Sequence, residues 1–355
     1  MHMVIIFGRR LCVFTATIAA LIMTGCTSRT HYPGPTGIQS PPLVQVSHTQ
    51  NDFTYKKQRT PVVSRVERDT DIFRILSFEM ASHGDNGQAG NLVTARYYQS
   101  KAPGAKPLVI ILPIWGVHTL PSNALTAQIR SQGGGSVNIL QIHGWGMLFD
   151  MAKMAYAPNS NAFMSLLDQM IGRVVNTVID IRRIVDWAET QPDIDRDRIA
   201  LVGFSLSAMV ASVALANEPR LGAGILAVGS ASPHDSFATC GGSAGQMRKL
   251  VTNRFKWSTD QYRNKIKPPL ARIDPARYPG RVDPRRILII EAGEDTCLPA
   301  PARRQLWEVM GRPERIVYAY DHRATFMAMT FLGGGSLQKE AFRFLKKVFG
   351  MTLGG

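Results

Sequence analysis

The sequence predicts an α/β domain: a mostly parallel central sheet with helices on both faces and an inserted cap. Three observations carry this. Short continuous apolar runs at 108–112, 199–202 and 287–290 have the composition of strands buried on both faces. Segments with apolar residues at three- and four-residue steps stand between such runs. The alternation of the two along the chain is that of crossover connections in a parallel sheet. The chain has 355 residues, 45% hydrophobic and 19% charged, which reads as globular. That length accommodates one domain of roughly 250–300 residues.

Residues 1–25 read as a signal peptide. Arg9 and Arg10 precede an apolar run at 11–23, too short to span a bilayer comfortably. Met23-Thr24-Gly25-Cys26 resembles a bacterial lipobox, although Met23 stands where such patterns usually carry Leu. The resemblance implies that Cys26 is diacylated and becomes the new N-terminus. Thr27, rather than Asp, follows it, which in such lipoproteins implies an outer-membrane lipoprotein of the cell envelope. An uncleaved anchor, or an ordinary signal with an incidental cysteine, is the alternative. Residues 26–62 are rich in Pro, Ser, Thr, Gly and Gln, with Pro33-Gly34-Pro35 and Pro41-Pro42, and read as a flexible tether. The folded domain is then 63–355.

Within it, 72–80 and 92–98 alternate as strands around Gly84-Asp85-Asn86-Gly87, predicting an antiparallel hairpin at a sheet edge. A buried strand at 108–112, a helix at 124–131 and a strand at 137–142 follow. The clearest helix is 162–188, with Ile171, Val174, Val178, Ile181, Val185 and Ala188 on one stripe. Then come a strand into Ser205, a helix to about Ala216 and a strand at 223–228. Residues 230–280 are long, polar and punctuated by Gly and Pro, the pattern of a lid or cap. Strands at 287–290 and 316–320 and helices at 302–310 and 337–348 complete the domain.

The formal charge is +15, from 41 Lys and Arg against 26 Asp and Glu. The basic residues are scattered and form no nucleic-acid module, so nucleic acid is not an expected partner. Attraction to an anionic membrane surface, or plain solvation, accounts for the excess. Cys12 leaves with the signal and Cys26 carries the lipid. Cys240 and Cys297 remain, either as a disulfide or as two separate thiols; the sequence leaves both open. Neither H-E-x-x-H, Cys-x-x-Cys, a Walker loop nor G-x-G-x-x-G after a strand occurs, so no metal or cofactor is expected.

The chemistry gathers around Gly203-Phe204-Ser205-Leu206-Ser207, between the strand at 199–202 and a small, apolar helix start. A serine pinched there sits on a strained turn, with its hydroxyl clear of the sheet and a helix N-terminus behind it. A serine nucleophile needs a base, and the base needs a supporting carboxylate. Asp295, with Glu294 second, lies in a glycine-containing loop just past the strand at 287–290. His322 follows the strand at 316–320. His118 and His143 also follow strands and could line the same pocket, whereas His234 falls outside the expected position.

The order Ser205, Asp295, His322 is that of the α/β-hydrolases. The chain resembles that superfamily over about 71–349, nearest the dienelactone-hydrolase and acetyl-esterase type. The resemblance rests on Asp180-Ile181-Arg182-Arg183-Ile184-Val185-Asp186-Trp187, on Ile194 through Ser205, and on Gly293-Glu294-Asp295 with Leu298-Pro299. It implies an oxyanion hole from the Leu206 N–H and a second N–H, from Trp115 or Ile114. Two departures stand out: Ser207 replaces the usual second glycine, and Pro113-Ile114-Trp115-Gly116-Val117 replaces the common His-Gly loop. The expected function is hydrolysis of small-molecule carboxylic esters through an acyl-enzyme, at the membrane. Peptidase or acyltransferase activity on an envelope component, and a non-catalytic lipoprotein that kept the fold, are the alternatives.

Overall fold

The computed structural model describes residues 29–36, 43–44, 53–57, 60–84, 92–114, 119–144, 148–331 and 336–351. In chain order the strands are β1 (Arg29–Tyr32), β2 (Val62–Val63), β3 (Val66–Asp69), β4 (Phe73–Ala81), β5 (Leu92–Ser100), β6 (Lys106–Ile111), β7 (Asn138–Gly144), β8 (Ile194–Phe204), β9 (Ala223–Ala227), β10 (Ile287–Ala292) and β11 (Glu314–Tyr318). The helices are α1 (Leu120–Gly133), α2 (Met151–Ala155), α3 (Ser160–Ala188), α4 (Leu206–Asn217), α5 (Pro233–Thr239), α6 (Gly242–Phe255), α7 (Thr259–Leu270), α8 (Ala300–Val309), α9 (His322–Phe331) and α10 (Ser336–Phe349).

All the strands join one sheet, ordered β1-β11-β10-β9-β8-β6-β7-β5-β4-β2, with β3 also on β4. From β7 through β11 the pairings are parallel; β1 and β2 to β5 pair antiparallel. The parallel strands are apolar on both faces because helices cover both. Leu108, Ile110 and Leu112 point into one core layer with α3 and α4. Val109 and Ile111 point into the other, with Leu125 and Ile129 of α1 and Phe344 and Leu345 of α10. α3 begins at an Asn159 cap, whose side chain accepts from the Ala162 N–H at 2.9 Å. No helix among the described residues is long and apolar enough to cross a membrane.

The structure corrects the reading of 26–62 as a flexible tether in its described portions. Arg29–Tyr32 forms the edge strand on β11. Phe53 is fully buried, and the Tyr55 hydroxyl donates to Asp186 Oδ2 at 2.6 Å. Val62 and Val63 pair with Met80 and Glu79. Turn-forming composition concealed these contacts, because edge pairing needs only backbone groups and one aromatic anchor. The hairpin β4–β5 exists, but it lies inside the sheet: β5 pairs with β7, and β2 and β3 cover β4. The Asp85-Asn86-Gly87 part of its turn, like the signal segment and Cys26, lies outside the described residues. The final strand is Glu314–Tyr318, two residues earlier than its apolar run implied.

The insertion at 230–280 is a helical cap of α5, α6 and α7 followed by short 3-10 turns. α7 starts in a capping box between Ser258 and Gln261. The cap packs through Phe237 on Phe149 and through Phe255, Trp257 and Tyr262 around Phe163. This places it over the C-terminal ends of the parallel strands.

Candidate active site

Ser205 joins β8 to α4 with φ 53° and ψ −118°. A non-glycine residue rarely adopts this conformation, and it stores strain at the turn. Close helix–strand packing enforces it. A Cβ on Gly203 would meet the Ser207 carbonyl oxygen at 2.2 Å, so only glycine fits there. At position 207, in contrast, a side chain is used. The buried Ser207 hydroxyl accepts from the Phe204 N–H at 2.8 Å and donates to the Phe204 carbonyl at 3.0 Å. The departure from glycine is therefore an added tie across the turn.

Ser205 Oγ lies 3.1 Å from His322 Nε2, bridging 117 residues. His322 Nδ1 lies 2.7 Å from Asp295 Oδ2. The other Asp295 oxygen accepts the Cys297 and Leu298 N–H groups, each at 2.8 Å. Burial alone would raise the Asp295 carboxyl; the His322 ring and the two N–H groups outweigh it and hold it below the usual carboxylate range. Glu294 is exposed on the same loop. The structure thus brings Ser205, His322 and Asp295 into one relay. His322 opens α9, where Asp321 Oδ1 caps the Ala324 N–H at 2.7 Å, and Phe326 stands edge-on to the imidazole at 5.2 Å.

Leu206 is the first residue of α4, so its N–H is one of the four donors that a helix start leaves without an intrahelical acceptor. Ile114 is buried at the end of the β6 run. Trp115, the other source of the second donor, and His118 lie outside the described residues. His143 is the penultimate residue of β7 and His234 lies in α5; burial lowers the pKa of both.

Cys240 and Cys297 form a disulfide joining the start of the cap to the Asp295 loop. Asp295, Cys297 and His322 come together closely enough to resemble a metal cluster. A disulfide sulfur is no thiolate ligand, however, and the other two already bond each other.

One residue escaped sequence reading. Arg303 of α8 is buried beneath the Asp295 loop. Its Nε bonds Glu291 Oε1 at 2.9 Å, and its Nη atoms donate to the carbonyls of Gly293, Asp295 and Leu298 at 3.0, 3.1 and 2.5 Å. In the sequence it is one arginine among many; its role is visible only when the loop folds around it.

Ser205 and His322 open onto a cleft of about 800 Å³, lined also by Phe149, Met151, Tyr156, Met247 and Leu250. Beside Ser205 lies a much smaller apolar recess of about 60 Å³, formed by Leu206, Met209, Pro233, Phe237 and Leu298 with Ser230 and Ser236.

No family model matches the chain, and no curated protein matches it in sequence. Solved structures do match in fold. An acetyl xylan esterase from Paenibacillus sp. superposes with a TM-score of 0.58 at 16% identity, over 82% of this chain and 89% of that one. Acetyl xylan esterase 1 from Thermoanaerobacterium sp. gives 0.58 at 13% identity, over 83% and 89%. The uncomplexed acylaminoacyl peptidase of Pyrococcus horikoshii gives 0.52 at 15% identity, over 81% of this chain and 43% of that one. The chain has the α/β-hydrolase fold.

Proposed function

We propose that the protein is a serine hydrolase that cleaves carboxylic esters through an acyl-enzyme, and that it is held at the bacterial envelope by a lipidated Cys26. The relay from Asp295 through His322 to Ser205, at 2.7 and 3.1 Å, is the observation that carries the catalytic reading.

Ser205 Oγ attacks the ester carbonyl carbon while its proton passes to His322 Nε2. Asp295 accepts the Nδ1–H bond and stabilises the imidazolium. The Leu206 N–H, with a second donor from the 113–117 loop, holds the oxyanion. Each such donor is worth about 10²–10³ in rate. The tetrahedral intermediate collapses, the C–O bond to the alcohol breaks, and His322 returns the proton to the leaving alkoxide. Water, deprotonated by His322, then attacks the acyl-enzyme. The carboxylic acid departs and Ser205 regains its proton.

The two spaces beside Ser205 differ in size, which favours a short acyl group in the apolar recess and a bulkier alcohol in the open cleft. That two of the structures with this fold are acetyl xylan esterases supports the reading. The acylaminoacyl peptidase keeps amide cleavage as the second reading.

Labelling with a fluorophosphonate probe tests the nucleophile. Wild type is expected to label, and Ser205→Ala to lose both labelling and hydrolysis of acetyl and butyryl aryl esters. Equal labelling of the two proteins would refute the assignment. Radiolabelled palmitate is expected to enter the wild type and not Cys26→Ser.

A further inference from the structure

The first strand fixes where anything attached near the start of the mature chain must lie. β1 runs antiparallel to β11, with Arg29 opposite Tyr318 and Tyr32 opposite Arg315. β11 runs parallel to β10, with Tyr318 opposite Ala292. Arg29 therefore stands at the C-terminal edge of the parallel strands, the edge from which the loops of Ser205, Asp295 and His322 project. The strand is also held sideways: Arg29 pairs with Glu340 of α10, and His31 Nε2 meets Glu314 Oε1 at 3.1 Å. Cys26 is only three residues beyond Arg29. At about 3.3–3.6 Å per residue, its backbone can lie no more than about 11 Å from Arg29.

The surface at that edge has a matching character. Tyr156 is 70% exposed and Leu250 43% exposed at the cleft, and Leu120 is 59% exposed at the start of α1. Lys153, Lys249 and Arg323 are exposed among them. Among the acids at this edge, Glu294 is exposed on the Asp295 loop, whereas Asp150 and Asp321 are engaged in capping. Asp150 Oδ1 accepts the Lys153 N–H, and Asp321 Oδ1 accepts the Ala324 N–H. Exposed aromatic and aliphatic side chains beside lysine and arginine suit the boundary of an anionic bilayer.

The geometry points to a docking face: the catalytic edge lies against an anionic phospholipid surface, and substrate reaches Ser205 from the membrane side. This rests on the lipid-anchor reading of Cys26 above. A long free tether would let the domain face any direction; a three-residue link to a paired strand does not.

The test uses the full acylated chain in vesicles of phosphatidylglycerol and phosphatidylethanolamine with brominated acyl chains. Because Cys240 and Cys297 are joined, a cysteine introduced at one surface position is the reactive thiol for a bimane label. Tyr156→Cys probes the proposed face, and Arg196→Cys probes exposed backbone at the opposite end of β8. Bimane at 156 is expected to lose more than half its fluorescence, and bimane at 196 to change by less than a tenth. Equal quenching, or greater quenching at 196, overturns the orientation. Palmitate incorporation on the same preparations separates the two readings. Absent incorporation overturns the anchor itself; normal incorporation with quenching at 196 overturns only the docking face. In phosphatidylcholine vesicles the quenching at 156 is expected to fall at least twofold, and unchanged quenching refutes the preference for anionic lipid.

Discussion

The Ser207 hydroxyl closes on both main-chain groups of Phe204, taking its N–H at 2.8 Å and giving its own proton to the carbonyl at 3.0 Å. It lies three residues on, inside the first turn of α4, so it ties the helix to the end of β8 across the strained Ser205. Ser207→Ala and Ser207→Gly both leave the buried Phe204 N–H without this acceptor. Each is expected to cost about 1–3 kcal/mol of stability, the usual penalty for an unmade buried hydrogen bond. Denaturant melts measure it. Restoring glycine to this position is expected to weaken the elbow; a stabilised Ser207→Gly would show that the tie is dispensable.

The acid assignment separates cleanly. Asp295 is buried and bonded to His322, whereas Glu294 is exposed. Asp295→Asn is expected to lower kcat by about 10³–10⁴, because the amide no longer supports the correct histidine tautomer. Glu294→Gln is expected to stay within about twofold of wild type, as exposed substitutions away from such features usually do. Steady-state kinetics on an aryl acetate decides between them. Loss of activity in the Glu294 variant alone would reassign the acid.

Much of this site was legible because its geometry follows from chain order. Ser205, Asp295 and His322 each stand just past an apolar strand, and parallel strands deliver their ends to one edge. The long helix was legible because its stripe is unbroken from Ile171 to Ala188. The cap helix α6 was obscure because it buries little: it covers only Ala244, Gly245, Met247 and Val251, so its sequence looks like a polar loop. The pairing of β1 depends on backbone groups, to which composition is blind. The disulfide needed the third dimension, since Cys240 and Cys297 stand 57 residues apart.

Arg303 is expected to act through Asp295. Its guanidinium gathers three carbonyls of the acid loop, a fork that lysine cannot reproduce. Arg303→Lys should let the loop relax and lower kcat on the order of ten- to a hundred-fold, as sub-ångström misplacement does, with KM little changed. A purely structural defect would instead add its cost in any background. In Asp295→Asn, therefore, Arg303→Lys is expected to cause no further loss of kcat. Additive losses would remove Arg303 from the positioning of the acid.

The Cys240–Cys297 bond ties the cap to the same loop, and Thr239 Oγ1 adds a bond to the Cys297 carbonyl at 3.0 Å. Closing a loop of 57 residues stabilises the fold by up to about 4 kcal/mol through restriction of the unfolded chain. The Cys240→Ser and Cys297→Ser double variant is expected to unfold at a lower denaturant midpoint, with its slope changed because the unfolded state is less compact. Reductant should bring the wild type to the same midpoint and leave the double variant unmoved. A wild type indifferent to reductant would show that the bond contributes nothing to the fold.

The pH dependence of stability has a definite sign at Asp295. Its carboxyl is held below the ordinary range in the folded protein, so the unfolded chain binds the proton more tightly. The stabilisation from the ionised form is then fully present above the unfolded value of about 3.9, and is lost as pH falls through the folded one. The difference in Tm between wild type and Asp295→Asn is expected to stay level from about pH 8 to about pH 5 and to shrink below about pH 4. Scanning calorimetry of both proteins across that series reads it. A difference that widens in acid would mean that burial outweighs the His322 ring and the two loop N–H groups. The carboxyl would then be raised, and Asp295 would be a poorer partner for the imidazolium than its 2.7 Å bond implies.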